Sequence, residues 1–327
     1  MAITMSAETA EMPVETGKQA LELKDGLLLL DKEPGFTSHD AVQRARRILK
    51  QKRIGHCGTL DPDATGLLLL TLGTATRLTR FLIRAPKVYE GVIRFGVTTD
   101  TYDASGTVVS EAPAEAVAAL ALPAVAEAMR RFEGEIEQQP PPYSAKKIKG
   151  VKYYELARRG EEVPAETKDV TVYEFSPIGE IEDGRLAFRL SCSSGTYARG
   201  LAHDLGVALG TGAHLAALRR TRIGSFAVES ALRLPALEEA VSQGGPVGST
   251  WIPFDQIPLP FSEVTADPQQ EHRIAHGQTV LVRELQGEEG DWVKLVNRRH
   301  EFIAVGTVVE RIGTAGVGIV QPRVVFR

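Results

Sequence analysis

The chain has 327 residues, 43% hydrophobic and 24% charged, which is the make-up of a soluble globular protein of about two domains. No run of about 18 apolar residues occurs, so a helical membrane span is excluded, and the acidic N-terminus lacks the apolar core of a secretory signal. The net charge of −4 counts against a simple nucleic-acid binder.

Residues 1–24 are polar and irregular and read as a disordered tail. Residues 26–31 form an apolar run of buried-strand length. Thr37 or Ser38 caps a helix with the stripe Val42, Ala45, Ile48 and Leu49, and Lys50, Lys52 and Arg53 suit its C-terminal dipole. A loop over 55–66 leads into a second buried strand at 67–72, then a helix over 74–84. Residues 88–97 alternate, with Tyr89, Ile93, Phe95 and Val97 on one face and Glu90 and Arg94 on the other. A turn-rich loop spans 99–106. Residues 113–132 read as helical with a break near Pro123, and 146–159 as a basic, partly helical insertion. Strands are expected at 170–175 and 186–192, followed by a Gly195 turn and a helix carrying Leu201, Ala202, Leu205 and Leu209. The Gly- and Ser-rich stretch 242–249 is a candidate linker. Short strands at 279–283, 292–296, 302–309 and 316–325 then suit a small β-barrel or sandwich. This mixed order predicts an α+β catalytic domain with a mainly antiparallel sheet.

Charge is segregated along the chain. Residues 41–54 hold six basic and no acidic side chains, and residues 141–160 hold six basic and one acidic. Arg219, Arg220 and Arg222 form a third group. Each segment alone reads as a solvated face; together they are consistent with a phosphate-tracking surface. Cys57 and Cys192 make no disulfide framework and no zinc-ligand spacing, and read as reduced thiols.

Four segments carry candidate chemistry. GHCGTLDPDATG at 55–66 has three glycines, which permit a tight loop, and Pro62 biases Asp61 toward an extended conformation. Its Asp-Pro pair reads equally as turn chemistry. CSSGTYARG at 192–200 is a strand, a polar turn and a helix start, for which Ser194 or Thr196 is the expected cap. DKEPGFTSHD at 31–40 is a strand-to-helix turn, and PPPYSAKK at 140–147 a rigid loop before a basic stretch.

Taken in order, these segments resemble the TruB family of tRNA pseudouridine synthases. The likeness includes TTDTYDASG at 98–106 and LRRTRIGSF at 218–226, and runs over roughly residues 25–325. One departure is Glu33, which stands where the family usually has proline.

The resemblance implies a pseudouridine synthase domain over 25–248, an RNA-clamping insertion near 138–165 and a PUA-like RNA-binding barrel over 250–327. It implies isomerisation of uridine-55 in the T loop of tRNA, on a flipped-out base, with Asp61 as nucleophile. Arg199 is expected beside Asp61, lowering its pKa. Tyr89 would stack on the uracil and assist proton removal, and Tyr197 would line the pocket. Leu218 would close it, His56 would hold displaced nucleotides, and Lys32 would support the site. The reaction adds no atom and changes no oxidation state, so no cofactor or metal is required. A monomer in the cytoplasm, with tRNA as partner and no obligate protein partner, is expected. Removal of 250–327 is expected to weaken tRNA binding and spare chemistry on a minimal stem-loop. Three other readings stand beside this one. They are an RNA-binding, tRNA-folding chaperone without catalysis, a glycosidase using Asp61 and Asp63, and a guide-RNA-dependent relative.

Overall fold

The computed structural model describes residues 23–141, 147–148, 151–152, 167–244, 247–313 and 316–326. The expected tail at 1–24 lies almost wholly outside them, as does most of the basic insertion. Within that insertion, Lys147–Ile148 and Val151–Lys152 pair as antiparallel strands, where a partly helical stretch was expected.

The largest element is a ten-stranded sheet. Its main path runs Trp251–Pro253, Gly26–Lys32, Thr65–Leu72, Ala213–Ile223, Lys87–Phe95, Arg185–Cys192, Lys168–Glu182, Gly134–Gln138. Neighbours are antiparallel except Thr65–Leu72 beside Ala213–Ile223. The sheet is therefore mainly antiparallel, as the mixed element order predicts.

The two leucine runs are apolar throughout because both of their faces are covered. Leu28, Leu30, Leu68 and Leu70 pack with Ala41, Val42 and Leu237 of the helices Ser38–Ile48 and Leu234–Gln243. Leu27, Leu29, Leu67 and Leu69 face the other way, into a cluster with Phe302, Val305 and Val324. Strands buried on both faces need no polar alternation. On Lys87–Phe95, where one face is covered, the alternation is clear: Tyr89, Ile93 and Phe95 are buried and Glu90 and Arg94 exposed. That strand stops at Gly96, whose φ of 86° breaks the expected continuation through Val97.

Several expected boundaries shift for local reasons. Thr37, not Ser38, caps the first helix, in a reciprocal capping box with Asp40. The expected helix over 74–84 is a 3₁₀ turn, Gly73–Leu78, followed by the short helix Thr79–Leu82. Thr76 donates its hydroxyl to the Gly73 carbonyl there, satisfying it locally. The break expected near Pro123 lies between Ala118 and Leu122, and Pro123 sits in the first turn of the second helix, where a proline needs no helical N–H partner. The candidate linker begins as the end of Leu234–Gln243, closed by left-handed Gly244. Trp251–Pro253 completes the edge of the large sheet by pairing with Gly26–Leu28.

The C-terminal part is a curled five-stranded half-barrel of PUA-like form, in the order Ser262–Thr265, Trp292–Val296, Phe302–Ile312, Val317–Val325, Val280–Val282. Helix Pro268–Ala275, capped by Asp267 and Gln270, buries Ile274 against Val280, Val293 and Val320. No described helix is long and apolar enough to cross a membrane.

Gly66 is the second residue of the strand that leaves the candidate loop. Its φ is +100°, and a Cβ there would collide with the Arg220 backbone. Gly66→Ala is expected to destabilise the protein by at least about 2 kcal/mol in chemical unfolding, since strain and overpacking add.

Candidate active site

The loop between Cys57 and Ala64 is held from three sides. Lys32 Nζ donates to the carbonyls of Pro62 at 2.8 Å and Ala64 at 2.7 Å, on either side of Asp63. The Ser38 hydroxyl accepts from the Leu60 N–H at 2.8 Å and donates to its carbonyl at 3.1 Å. Arg220, 1% exposed, donates Nη1 to Thr59 O at 3.4 Å, Nη2 to Gly58 O at 3.2 Å and Nε to Leu67 O at 2.7 Å. Asp61 thus stands on a loop whose backbone is tied to two neighbouring strands and a helix. Glu33 leaves Lys32 in place. Its carbonyl accepts a third bond from Nζ at 3.0 Å, and its carboxylate lies 4.0 Å from Arg233.

Arg199 is the second residue of the helix Ala198–Ala208. A cation is unfavourable at that end of a helix dipole. Two carboxylates offset it: Nε lies 3.5 Å from Asp61 Oδ2, and Nη1 donates to Asp103 Oδ2 at 3.2 Å and to the Thr101 carbonyl at 3.3 Å. The Arg199 side chain is 8% exposed and that of Asp61 45%. The guanidinium is therefore fixed while the carboxylate faces outward. Neither Ser194 nor Thr196 caps this helix. Their hydroxyls donate to Ile83 O and Ser193 O. Gln138 instead accepts from the Tyr197 N–H and donates to its carbonyl.

A cavity of about 530 Å³ opens on Asp61, within the ~300–1,000 Å³ range of small-ligand sites. Of the expected residues, Asp61, Arg199, Tyr89, Tyr197 and Leu218 line it. Lys32, His56 and Asp63 do not. Lys32 acts beneath the loop, and His56 sits on the short strand Ile54–His56 that leads into it. Lys87, Lys168 and Ile83 also line the cavity and have no signal in the sequence, and Arg220, expected only as part of a basic group, lines it too. Asp103 escaped it too, although the motif containing it did not.

The electrostatics correct one expectation. Burial in the concave site raises the Asp61 pKa above the ordinary aspartate value, Arg199 pulls it back, and Asp103 adds to the rise. Nearly half the side chain meets solvent, but the walls still remove part of its hydration. Burial also raises the Tyr89 phenol, keeping it protonated, and lowers His56, keeping it neutral at pH 7. Burial pushes the thiols of Cys57 and Cys192 up to about 12 and about 11, so both stay protonated. In the third basic segment only Arg222 is exposed. Arg219 is held by both oxygens of Asp31 at 2.9 and 3.0 Å, and Arg220 is buried. Among the described residues no three His, Cys, Asp or Glu side chains gather as a metal site.

Burial lowers the Lys87 pKa to about 8, with Arg220 adding to the effect. Lys87 donates to the carbonyls of Ile83 and Ala85 at 2.5 and 2.7 Å. A lysine depressed in the fold binds fewer protons there than in the unfolded chain between pH 8 and its ordinary value of 10.5. Its contribution to stability must then rise with pH across that window. Lys87→Met is expected to flatten that limb of the pH–stability curve, measured by urea unfolding from pH 7 to 10.

The chain matches two family models. One is described as TruB family pseudouridylate synthase (N terminal domain), over residues 46–198. The other, tRNA pseudouridylate synthase B C-terminal domain, covers 199–246. The chain is 48% identical over 262 residues to tRNA pseudouridine synthase B of Streptococcus thermophilus, covering 79% of this chain and 87% of that protein. It is 40% identical over 286 residues to tRNA pseudouridine synthase B of Solibacter usitatus, covering 87% and 96%. Among solved structures, a chain of a Cbf5-Nop10-Gar1 complex superposes with a TM-score of 0.68 at 27% identity, over 97% of this chain and 88% of that one. The carboxylate–guanidinium pair in its cleft thus sits in a chain that belongs to the TruB family of pseudouridylate synthases.

Proposed function

We propose that the protein isomerises uridine to pseudouridine at position 55 in the T loop of tRNA, with Asp61 as the nucleophile. The observation that carries this reading is the Asp61–Arg199 pair at 3.5 Å, at the mouth of a cavity with two tyrosines in its wall. A base must leave its stack to reach such a site. Base–aromatic stacking contributes about 1–3 kcal/mol, and Tyr89 is the buried ring available for it. The glycosidic C1′–N1 bond breaks, the uracil turns, C5 bonds to C1′, and C5 loses the proton that N1 gains. Asp61 forms the covalent intermediate that divides this exchange into easier steps. Arg199 orients its carboxylate, Leu218 and Tyr197 exclude water, and Lys32 holds the loop. Tyr89 remains the candidate for handling the C5 proton. His56, outside the cavity, is assigned to the nucleotides displaced around the target.

The half-barrel carries a groove of about 1030 Å³, with Arg273, Arg283 and Arg298 in its lining. We assign it to another part of the same tRNA. A glycosidase reading is disfavoured because Asp63 does not line the cavity that Asp61 faces.

The test is incubation with unmodified tRNA and mapping of pseudouridine. Modification at position 55 is expected; its absence, or its appearance only elsewhere, would overturn the proposal. Arg199→Lys is expected to lose more than about tenfold in turnover, equivalent to ~1.4 kcal/mol of barrier, with tRNA affinity nearly unchanged. An ammonium cannot reach Asp61, Asp103 and Thr101 from one fixed plane. Equal losses of affinity and rate would count against the pairing role.

A further inference from the structure

Two residues outside the cleft are placed to fix Arg199. Its Nη1 is held by the carbonyl of Thr101 and the carboxylate of Asp103, the residues on either side of Tyr102. Tyr102 has φ +66°, a left-handed conformation that a bulky residue rarely adopts. Such strain persists only where surrounding contacts over-determine it. Those contacts are visible. The Tyr102 carbonyl accepts from the Leu215 N–H at 3.0 Å, and the Tyr102 ring stacks on His203 with centroids 3.8 Å apart and planes within 9°. His203 lies four residues after Arg199 on the same helix, so both project from one face. The helix that carries the guanidinium therefore also carries the anchor of the loop that grips it. His203 Nδ1 is buried and makes no hydrogen bond, while the ring stacks on Tyr102.

We infer that Tyr102 and His203 are positioning residues: their stack holds the strained turn at Tyr102 so that Thr101 O and Asp103 together aim Arg199 at Asp61. This rests on the reading of Asp61 and Arg199 given above.

The test is single-turnover pseudouridine formation at saturating enzyme, alongside tRNA affinity and thermal unfolding, with the full chain. His203→Ala is expected to lower the rate at least about fivefold, with affinity within about twofold of wild type. His203→Phe, which keeps a ring to stack, is expected to restore the rate to within about twofold. Tyr102→Gly, which relaxes the backbone and removes the ring, should be slow yet fold well. In an Asp103→Asn background, His203→Ala should add little further loss, because both act through Arg199. A folded His203→Ala or Tyr102→Gly protein at the wild-type rate would overturn the inference. So would a His203→Phe protein as slow as the alanine variant, or full additivity with Asp103→Asn. Wild-type protein that forms no pseudouridine would instead overturn the proposed function, which keeps the two failures distinct.

Discussion

Asp61→Asn is expected to abolish pseudouridine formation, a loss of at least about a thousandfold, equivalent to ~4 kcal/mol of barrier, while tRNA binding persists. The amide is nearly isosteric, so the loop tied by Lys32, Ser38 and Arg220 has no cause to move. Arg199 keeps its bonds to Asp103 and Thr101. What is removed is the charge and the nucleophilic oxygen. The pKa direction adds a second readout. A carboxyl raised in the fold binds more protons there than in the unfolded chain, so its charged form costs stability above the folded pKa, and that cost disappears below the unfolded value. At neutral pH the asparagine protein is therefore expected to melt no lower than wild type, which separates lost chemistry from lost folding. For the same reason the acid limb of the wild-type rate profile should lie above the ordinary aspartate value. An asparagine variant with appreciable turnover would end the nucleophile assignment, and a folded variant that no longer binds tRNA would end the claim that binding is separate.

Much of this site was legible in the sequence because its parts are local. The glycines around Asp61, the run from Gly195 to Arg199 and the cap at Thr37 each depend on neighbours within a few positions. What stayed hidden depends on contacts across long separations. Asp103 and Arg199 are 96 residues apart, Gln138 and the helix start it secures at Tyr197 are 59 apart, and Arg220 reaches loop carbonyls more than 160 positions away. No local pattern marks a strand arginine as buried. The sequence LRRTR reads as a basic patch, yet one of its arginines is enclosed and another is paired with Asp31. The direction of the Asp61 pKa was misjudged for a related reason. The arginine could be named from its motif, whereas the desolvating walls are assembled from several strands.

Removing residues 250–327 is expected to cost the fold, not merely tRNA affinity. A minimal division into catalytic and RNA-holding parts would leave the first part intact, but the two share a core. Leu27, Leu29, Leu67, Leu69 and Phe81 of the large domain cluster with Ile257, Phe302, Val305 and Val324. Phe81 meets Phe261 and Trp292 edge-on at centroid distances of 5.3 and 4.9 Å. Arg77 bonds the Val325 carbonyl. Truncation also strips Trp251–Pro253 from the edge of the sheet, baring the backbone of Gly26–Leu28 beside it. Burial of one large apolar side chain contributes about 1.5–3 kcal/mol. Uncovering even part of five such residues therefore removes an amount comparable to the ~5–15 kcal/mol that holds a typical domain together. Aggregation, or loss of a cooperative thermal transition by circular dichroism, is the expected result; a soluble truncation melting within about 5 °C of the full chain, a shift that corresponds to only ~1–2 kcal/mol, would show that the shared cluster is dispensable. The division of labour is better tested on the surface. Arg273, Arg283 and Arg298 are exposed in the groove of the half-barrel, and replacing all three by Glu leaves the shared core untouched. That variant should bind full tRNA more weakly and with a shallower salt dependence, yet convert a saturating minimal stem-loop at the wild-type rate.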